Sequence, residues 1–285
     1  MGDSRRKRVR RWLPELAALP LLPWLIMQGL RTRRITPRLP EAVGPNTGVA
    51  QPPVANNDLS QAQQPILQLL TIGESPVAGV GVATHYEAIT GQFATALASR
   101  LGRPVAWQAV GKNGATLHTA IKTLLPHITE KIAPQHVDVV LIAFGVNDST
   151  AFRSRRRYAN ELKYLLRQLQ QHLSPRLIVV AGVPPLHVFP ALPQPLRYVL
   201  GLKAQELDGV AAKVVADLSH QMHITRVPTL KNMTDPAFMA SDGYHPSAIG
   251  AAVWGRQLAT AVAPQLKYRK PKVLPTETDT SMDAF

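Results

Sequence analysis

The chain has 285 residues, of which 45% are hydrophobic and 18% charged, with a net charge of +14 and no cysteine. That is enough apolar material for one domain of ordinary size with appendages, and the missing thiols exclude disulfides, thiolate zinc sites and a cysteine nucleophile. The nine histidines show neither an HxxxH nor an HExxH spacing, so no metal is expected.

The charge is uneven along the chain. Residues 1–38 carry ten Lys/Arg against Asp3 and Glu15, a net +8, whereas residues 39–266 carry only +5 and residues 267–285 only +1. The body of the protein is mildly basic, with 6% aromatic residues and no interleaving of basic and aromatic side chains, so a nucleic-acid partner is not expected.

At the N-terminus Arg5, Arg6, Lys7, Arg8, Arg10 and Arg11 precede an apolar run from Leu16 to Leu30, and Arg31, Arg33, Arg34 and Arg38 follow it. A basic–apolar–basic order favours an anionic membrane surface. The run is about 15 residues long and contains Pro20, Pro23 and Gln28, short of the ~20 apolar residues a spanning helix needs. Residues 1–35 are therefore read as a membrane-associating segment lying in the interface, the alternatives being an uncleaved signal anchor or a helix packed on the domain. Attachment to the bacterial inner membrane is the expected localisation and a cytoplasmic protein the alternative. Residues 36–65, with Pro37, Pro40, Pro45, Pro52, Pro53 and Pro65, read as a linker, and residues 267–285 as a disordered tail.

Between these ends, short apolar runs alternate with helical patterns, the signature of a parallel sheet with helices on both faces. Strands are predicted at Ile66–Ile72, Val105–Val110, Val137–Phe144, Leu177–Ala181 and His223–Val227. Helices are predicted at Glu87–Leu101, Leu117–Leu125, Tyr158–Leu173, Leu202–His220 and Ala248–Val262. The fold class is α/β, with a five-stranded parallel sheet spanning 66–266. Ligands of such sheets bind beyond the carboxyl ends of the strands.

Four short blocks fall at that edge. Gly73-Glu74-Ser75 follows the first strand, Asn113-Gly114-Ala115-Thr116 the second, Gly145-Val146-Asn147-Asp148 the third, and Asp242-Gly243-Tyr244-His245-Pro246 precedes the last helix. Each alone fits ordinary turns and caps. Together they hold what acyl hydrolysis needs: a hydroxyl on Ser75, His245 as base, Asp242 to orient it, and oxyanion donors in the backbone N–H groups of Ser75 and Gly114 and the Asn147 amide. His187 is a competing base, in a less defined loop. No cofactor is required.

With these blocks the chain resembles the SGNH hydrolases, of the GDSL-type esterase and lipase superfamily, over about residues 66–262. The resemblance implies a flavodoxin-like three-layer α/β/α sandwich, Ser75 as nucleophile, Asp242 and His245 as its triad partners, and Ser75, Gly114 and Asn147 as the oxyanion hole. An α/β-hydrolase would share the order Ser, Asp, His, but Gly73-Glu74-Ser75-Pro76-Val77 lacks the G-x-S-x-G elbow. One departure is visible, Glu74 where the family's motif has Asp.

The expected activity is hydrolysis of a carboxylic ester, from a lipid or an acylated sugar. The alternatives are an O-acyltransferase with the same site or a membrane-anchored, non-catalytic protein of this fold. Arg153, Arg155, Arg156 and Arg157, near a helix start that disfavours positive charge, hint at an anionic partner, against the plainer reading of a charged face paired with carboxylates. The apolar segment Gly182–Pro193 is expected to line an acyl site.

Overall fold

A computed structural model describes Pro14 and residues 18–53, 65–132, 136–229 and 235–267. Most of the residues read as basic head, linker centre and C-terminal tail lie outside the described residues.

Six strands form one sheet: β1 (Thr47–Ala50), β2 (Leu67–Gly73), β3 (Val105–Gly111), β4 (Val139–Ala143), β5 (Leu177–Ala181) and β6 (Ile224–Val227), in the order β1-β3-β2-β4-β5-β6. From β2 to β6 every pairing is parallel. Taken alone these five strands have the doubly wound, flavodoxin-like order, in which the chain reverses its direction of travel at the first of them.

The strands exist because their residues are apolar on both sides. All of β4 and β5 is buried. Along them the side chains alternate between two cores: Val139, Leu141, Leu177 and Val179 enter one, Val140, Ile142, Ile178 and Val180 the other. That alternation is the period-2 geometry of a strand covered on both faces. The helices Ile89–Leu101 and Ala248–Lys267 cover the first face. The second is covered by a helical stretch at 117–132 and by Arg155–Leu173 and Leu196–Leu218. A third apolar cluster, built on Val183, Leu186, Phe189, Leu192 and Leu196, caps the carboxyl edge of the sheet beside the Asn147 block.

The expectation of five strands is corrected to six. Thr47–Ala50, within the segment read as linker, pairs antiparallel with β3. A four-residue strand containing a glycine carries no readable period, and its stability comes from its neighbour. A Cβ on Gly48 would lie 2.6 Å from the Trp107 ring, so only glycine lets β1 settle onto that indole.

At the N-terminus the apolar run becomes a short 3-10 turn, Leu19–Leu21, and then the helix Leu22–Ile35, with Pro23 in its first turn, where a missing N–H costs nothing. Fourteen residues rise about 21 Å against an apolar bilayer thickness of about 30 Å. Among the described residues no helix is long and apolar enough to cross a membrane.

Outside the stretch at 117–132, the described α-helices in chain order are α1 (Leu22–Ile35), α2 (Ser75–Ala78), α3 (Ile89–Leu101), α4 (Val146–Thr150), α5 (Arg155–Leu173), α6 (Leu196–Leu218) and α7 (Ala248–Lys267).

Candidate active site

Ser75 opens α2 directly after β2. It is 5% exposed, and its backbone N–H, at the first position of a helix, has no intrahelical acceptor. Its hydroxyl donates to Asn113 Oδ1 at 2.8 Å. Asn113 begins the second block, after β3, and its own N–H is taken by Glu41 Oε1 at 3.0 Å. Gly114 follows with φ +74°, the left-handed region that favours glycine, and no atom lies within 4 Å of where its Cβ would be. Among the described residues neither the Ser75 nor the Gly114 amide hydrogen has a protein acceptor.

The fourth block makes a tight turn before α7. Asp242 Oδ2 pairs with His245 Nδ1 at 2.6 Å, while Oδ1 accepts the backbone N–H groups of Tyr244 and His245 at 2.9 and 3.0 Å. Burial alone would raise the Asp242 pKa, but the imidazole and these two amides outweigh it and hold the carboxyl below its ordinary value. The acceptor thus fixes the ring at Nδ1 and leaves Nε2 for other work. Gly81, at φ +98°, makes room for this turn: a Cβ there would lie 2.7 Å from Pro246 O and 3.2 Å from His245 Cβ. The Tyr244 ring meets both His245 and Phe189 edge-on, with centroids 5.2 and 5.4 Å apart.

Ser75, Asn147 and His245 line one cleft, whose remaining walls include Val146, Pro184, Phe189, Met239, Tyr244 and Trp254. Asp242 stands behind His245, and Gly114 lies on the adjoining loop, outside the cleft wall. Among the described residues Ser75 and His245 do not hydrogen-bond to each other; the serine hydroxyl faces Asn113 instead.

Asn147 is also engaged. Its Nδ2 donates to Glu74 Oε2 at 2.6 Å and to Ala115 O at 3.1 Å, which uses both hydrogens of the amide. Glu74 is 3% exposed and also accepts the N–H groups of Val146 and Asn147, each at 3.0 Å. Burial pushes its pKa to about 8, against the pull of these donors and with Asp148 adding a like charge. Asp148 is fully buried, accepts the Leu117 N–H at 3.0 Å and has its pKa raised by burial to about 6. The second and third blocks are thereby tied together through Asn147, Asp148, Ala115 and Leu117.

Sequence reasoning passed over three of these roles. Glu74 registered only as a departure from Asp, although its carboxyl reaches across to the Asn147 block. Asn113 and Asp148 lay inside recognised blocks without a role. His187, the rival base, sits exposed on a 3-10 turn against α6 and does not line the cleft. Three of the four arginines of the cluster meet carboxylates: Arg155 pairs with Glu206 at 3.1 Å, Arg157 with Glu161 at 2.9 Å, and Arg153 stands 3.8 Å from Asp148. The charge that disfavours the start of α5 is thus offset by carboxylates on α5 itself, on α6 and in α4.

A sequence model of the GDSL-like Lipase/Acylhydrolase family matches residues 71–253. That span holds Ser75, Gly114, Asn147, Asp242 and His245 and leaves out β1 and α1. The GDSL-like esterase Rv1075c of Mycobacterium tuberculosis is 27% identical over 185 residues, which are 64% of this chain and 57% of that protein. The chain therefore matches little more than half of that relative's length. In structure, the chain is similar to a lipase/acylhydrolase from Enterococcus faecalis, at 20% identity and TM-score 0.53 over 70% of this chain and 96% of the other. It is also similar to the lipase Lip_vut3 from a goat rumen metagenome, at 16% identity and TM-score 0.54 over 68% and 97%. At these identities the likeness concerns the fold.

Proposed function

Since the chain belongs to the GDSL-like lipase/acylhydrolase family, we propose that it hydrolyses carboxylic esters through an acyl-enzyme on Ser75. The observation that carries this reading is the Asp242–His245 pair, set at 2.6 Å in the wall of the cleft that Ser75 also lines.

In the reaction the Ser75 hydroxyl turns from Asn113 toward the cleft, and His245 Nε2 takes its proton as Oγ bonds to the ester carbonyl carbon. The carbonyl oxygen gains the displaced electron pair. The N–H groups of Ser75 and Gly114 are the donors for that oxyanion. Asn147 is the third donor once its amide gives up Glu74 or Ala115 O. His245 then passes its proton to the departing alkoxide, leaving an acyl-enzyme and a free alcohol. Water repeats the sequence: His245 accepts its proton, the hydroxide oxygen bonds to the acyl carbon, and the proton returns to Ser75 Oγ as the acid leaves. Asp242 stabilises the imidazolium in both halves. The apolar walls suit an acyl chain better than a charged group.

Ser75→Ala tests this on p-nitrophenyl acetate. A fall in kcat of at least about 10³-fold, with a fluorophosphonate labelling Ser75 and not the variant, is the expected outcome. Equal turnover by both proteins would remove the catalytic assignment.

A further inference from the structure

We propose that α1 is a docking helix that seats the protein on an anionic phospholipid surface, with the cleft's apolar loop beside the contact. Binding itself does not depend on the hydrolase reading; only the use made of it, presentation of a bilayer-borne ester to Ser75, rests on that reading.

The helix is held to the domain by one narrow strip. Leu25 is buried in the third apolar cluster with Phe189, Leu192 and Leu196. Gln28 Nε2 donates to Gln194 O at 2.6 Å, and its Oε1 accepts the Leu196 N–H at 3.1 Å. A helix packed in this way on a protein surface should turn polar side chains to water over the rest of its circumference. Here the reverse holds over its first two and a half turns. Leu22, Trp24, Ile26, Met27 and Leu30 are 47%, 53%, 55%, 52% and 65% exposed. At 100° per residue these five spread over more than half of the helix, on the side away from Leu25 and Gln28. That is a contiguous apolar face of the kind that marks an interaction site.

The charges choose the partner. Arg31, Arg33, Arg34 and Arg38 are exposed around and just beyond the last turn, and the described stretch from residue 18 to 40 contains no Asp or Glu. Among the described residues none of these four arginines has a carboxylate partner. Apolar side chains followed by an unpaired arginine belt match a layer of acyl chains bounded by phosphates. A second copy of the same surface would set the arginines near one another with no acid to offset them, and an apolar protein groove would leave them unused. The contact also has a place in the site: Phe189 belongs both to the cluster that buries Leu25 and to the wall of the cleft.

The test is flotation of the full chain with vesicles of phosphatidylcholine alone or with one quarter phosphatidylglycerol, in about 0.1 M salt. Strong binding to the anionic vesicles, at least 10-fold weaker binding to the neutral ones, and a further 10-fold loss in the double variant Leu22→Glu/Leu30→Glu support the proposal. Both leucines are exposed, so the thermal unfolding midpoint and turnover of p-nitrophenyl acetate should stay within error and twofold of the parent. Absence of binding to anionic vesicles overturns it. So does binding that survives the double variant, which would place the contact in the basic head at 5–11, or a parent dimer that the double variant dissociates. A protein that floats with vesicles yet hydrolyses no ester would leave the docking helix standing and remove the enzyme.

Discussion

Two carboxylates in the cleft region, Asp242 and Glu74, have matching sets of hydrogen-bond donors and opposite behaviour. Each is buried, each accepts two backbone N–H groups, and each accepts one further N–H from a side chain at 2.6 Å. Yet the Asp242 carboxyl is held below its ordinary pKa, while that of Glu74 is pushed to about 8. Two things differ. Glu74 lies deeper, so desolvation weighs more heavily on it, and the third donor of Asp242 is an imidazole whose hydrogen bond and charge favour the carboxylate, whereas the Asn147 amide stays neutral and Asp148 stands near Glu74 as a like charge. The same local design thus serves two purposes: beside the imidazole it favours a charge, and beside the amide it fixes the place of a neutral donor.

The largest effect is expected from breaking the first half of that contrast. Asp242→Asn keeps shape and accepts the Tyr244 and His245 amides through Oδ1. Its Nδ2 then faces His245 Nδ1, so the ring must place its proton on Nε2, where it cannot act as base. A loss of kcat near 10⁴-fold, with KM changed little, is expected in steady-state assays on soluble esters. A loss below tenfold would show that His245 does not depend on this carboxylate.

Breaking the second half should act on stability as well as rate. Glu74→Gln replaces one oxygen, which can accept even when the carboxyl is protonated, with an NH2 that cannot, where Val146 N, Asn147 N and Asn147 Nδ2 all need acceptors, so Asn147 loses its fixed orientation. A drop in kcat of about 10- to 100-fold is expected. The pH dependence has a definite sign. The native Glu74 pKa, about 8, lies above the ordinary 4.5, so between these values the folded protein holds a proton that the unfolded chain has released. Stability should therefore fall as pH rises through this window, by up to about 1.4 kcal/mol per unit. Denaturant melts at pH 5, 6.5 and 8 should show that slope in the parent and a flatter one in Glu74→Gln. Equal slopes would mean that the three donors keep Glu74 ionised.

That contrast also marks where the sequence could be read. The strands β4 and β5 were legible because unbroken apolar runs of that length have few other uses, and Leu177–Ala181 was delimited to the residue. The placement of the blocks at the strand ends followed from chain order alone, since strand ends and loops alternate in a doubly wound sheet. What escaped was tertiary. Glu74 meets partners 72 and 73 residues away, and nothing near it in sequence announces them. The strand β1 depends on the face of Trp107, and α6 begins at Leu196, ahead of the expected Leu202, because its first turn packs into the third cluster. The stretch 117–132 outran its expected end at Leu125: Pro126 sits in the first turn of a short α segment, Leu125–His127, where a missing N–H is tolerated, with π segments on either side.

Asp148 falls between the two extremes and offers the finest test. Like Glu74 it is buried, but Arg153 stands 3.8 Å from Oδ1, close enough for attraction and too far for a hydrogen bond, so that oxygen has no donor. Its pKa of about 6 fits a cation that is present but held off. The three carboxyls rise in pKa with their depth of burial, and since Arg153 offsets part of that burial for Asp148, Arg153→Gln should move it toward Glu74. The folded pKa lies above the ordinary 3.8, so the carboxylate charge that Arg153 steadies exists mainly above pH 6. The variant should lose about 1 kcal/mol or less at pH 8 and close to nothing at pH 5, where Asp148 is protonated in the folded state. Thermal melts at the two pH values read this difference directly. A loss equal at both would assign Arg153 a packing role and leave the carboxylate series without its middle member.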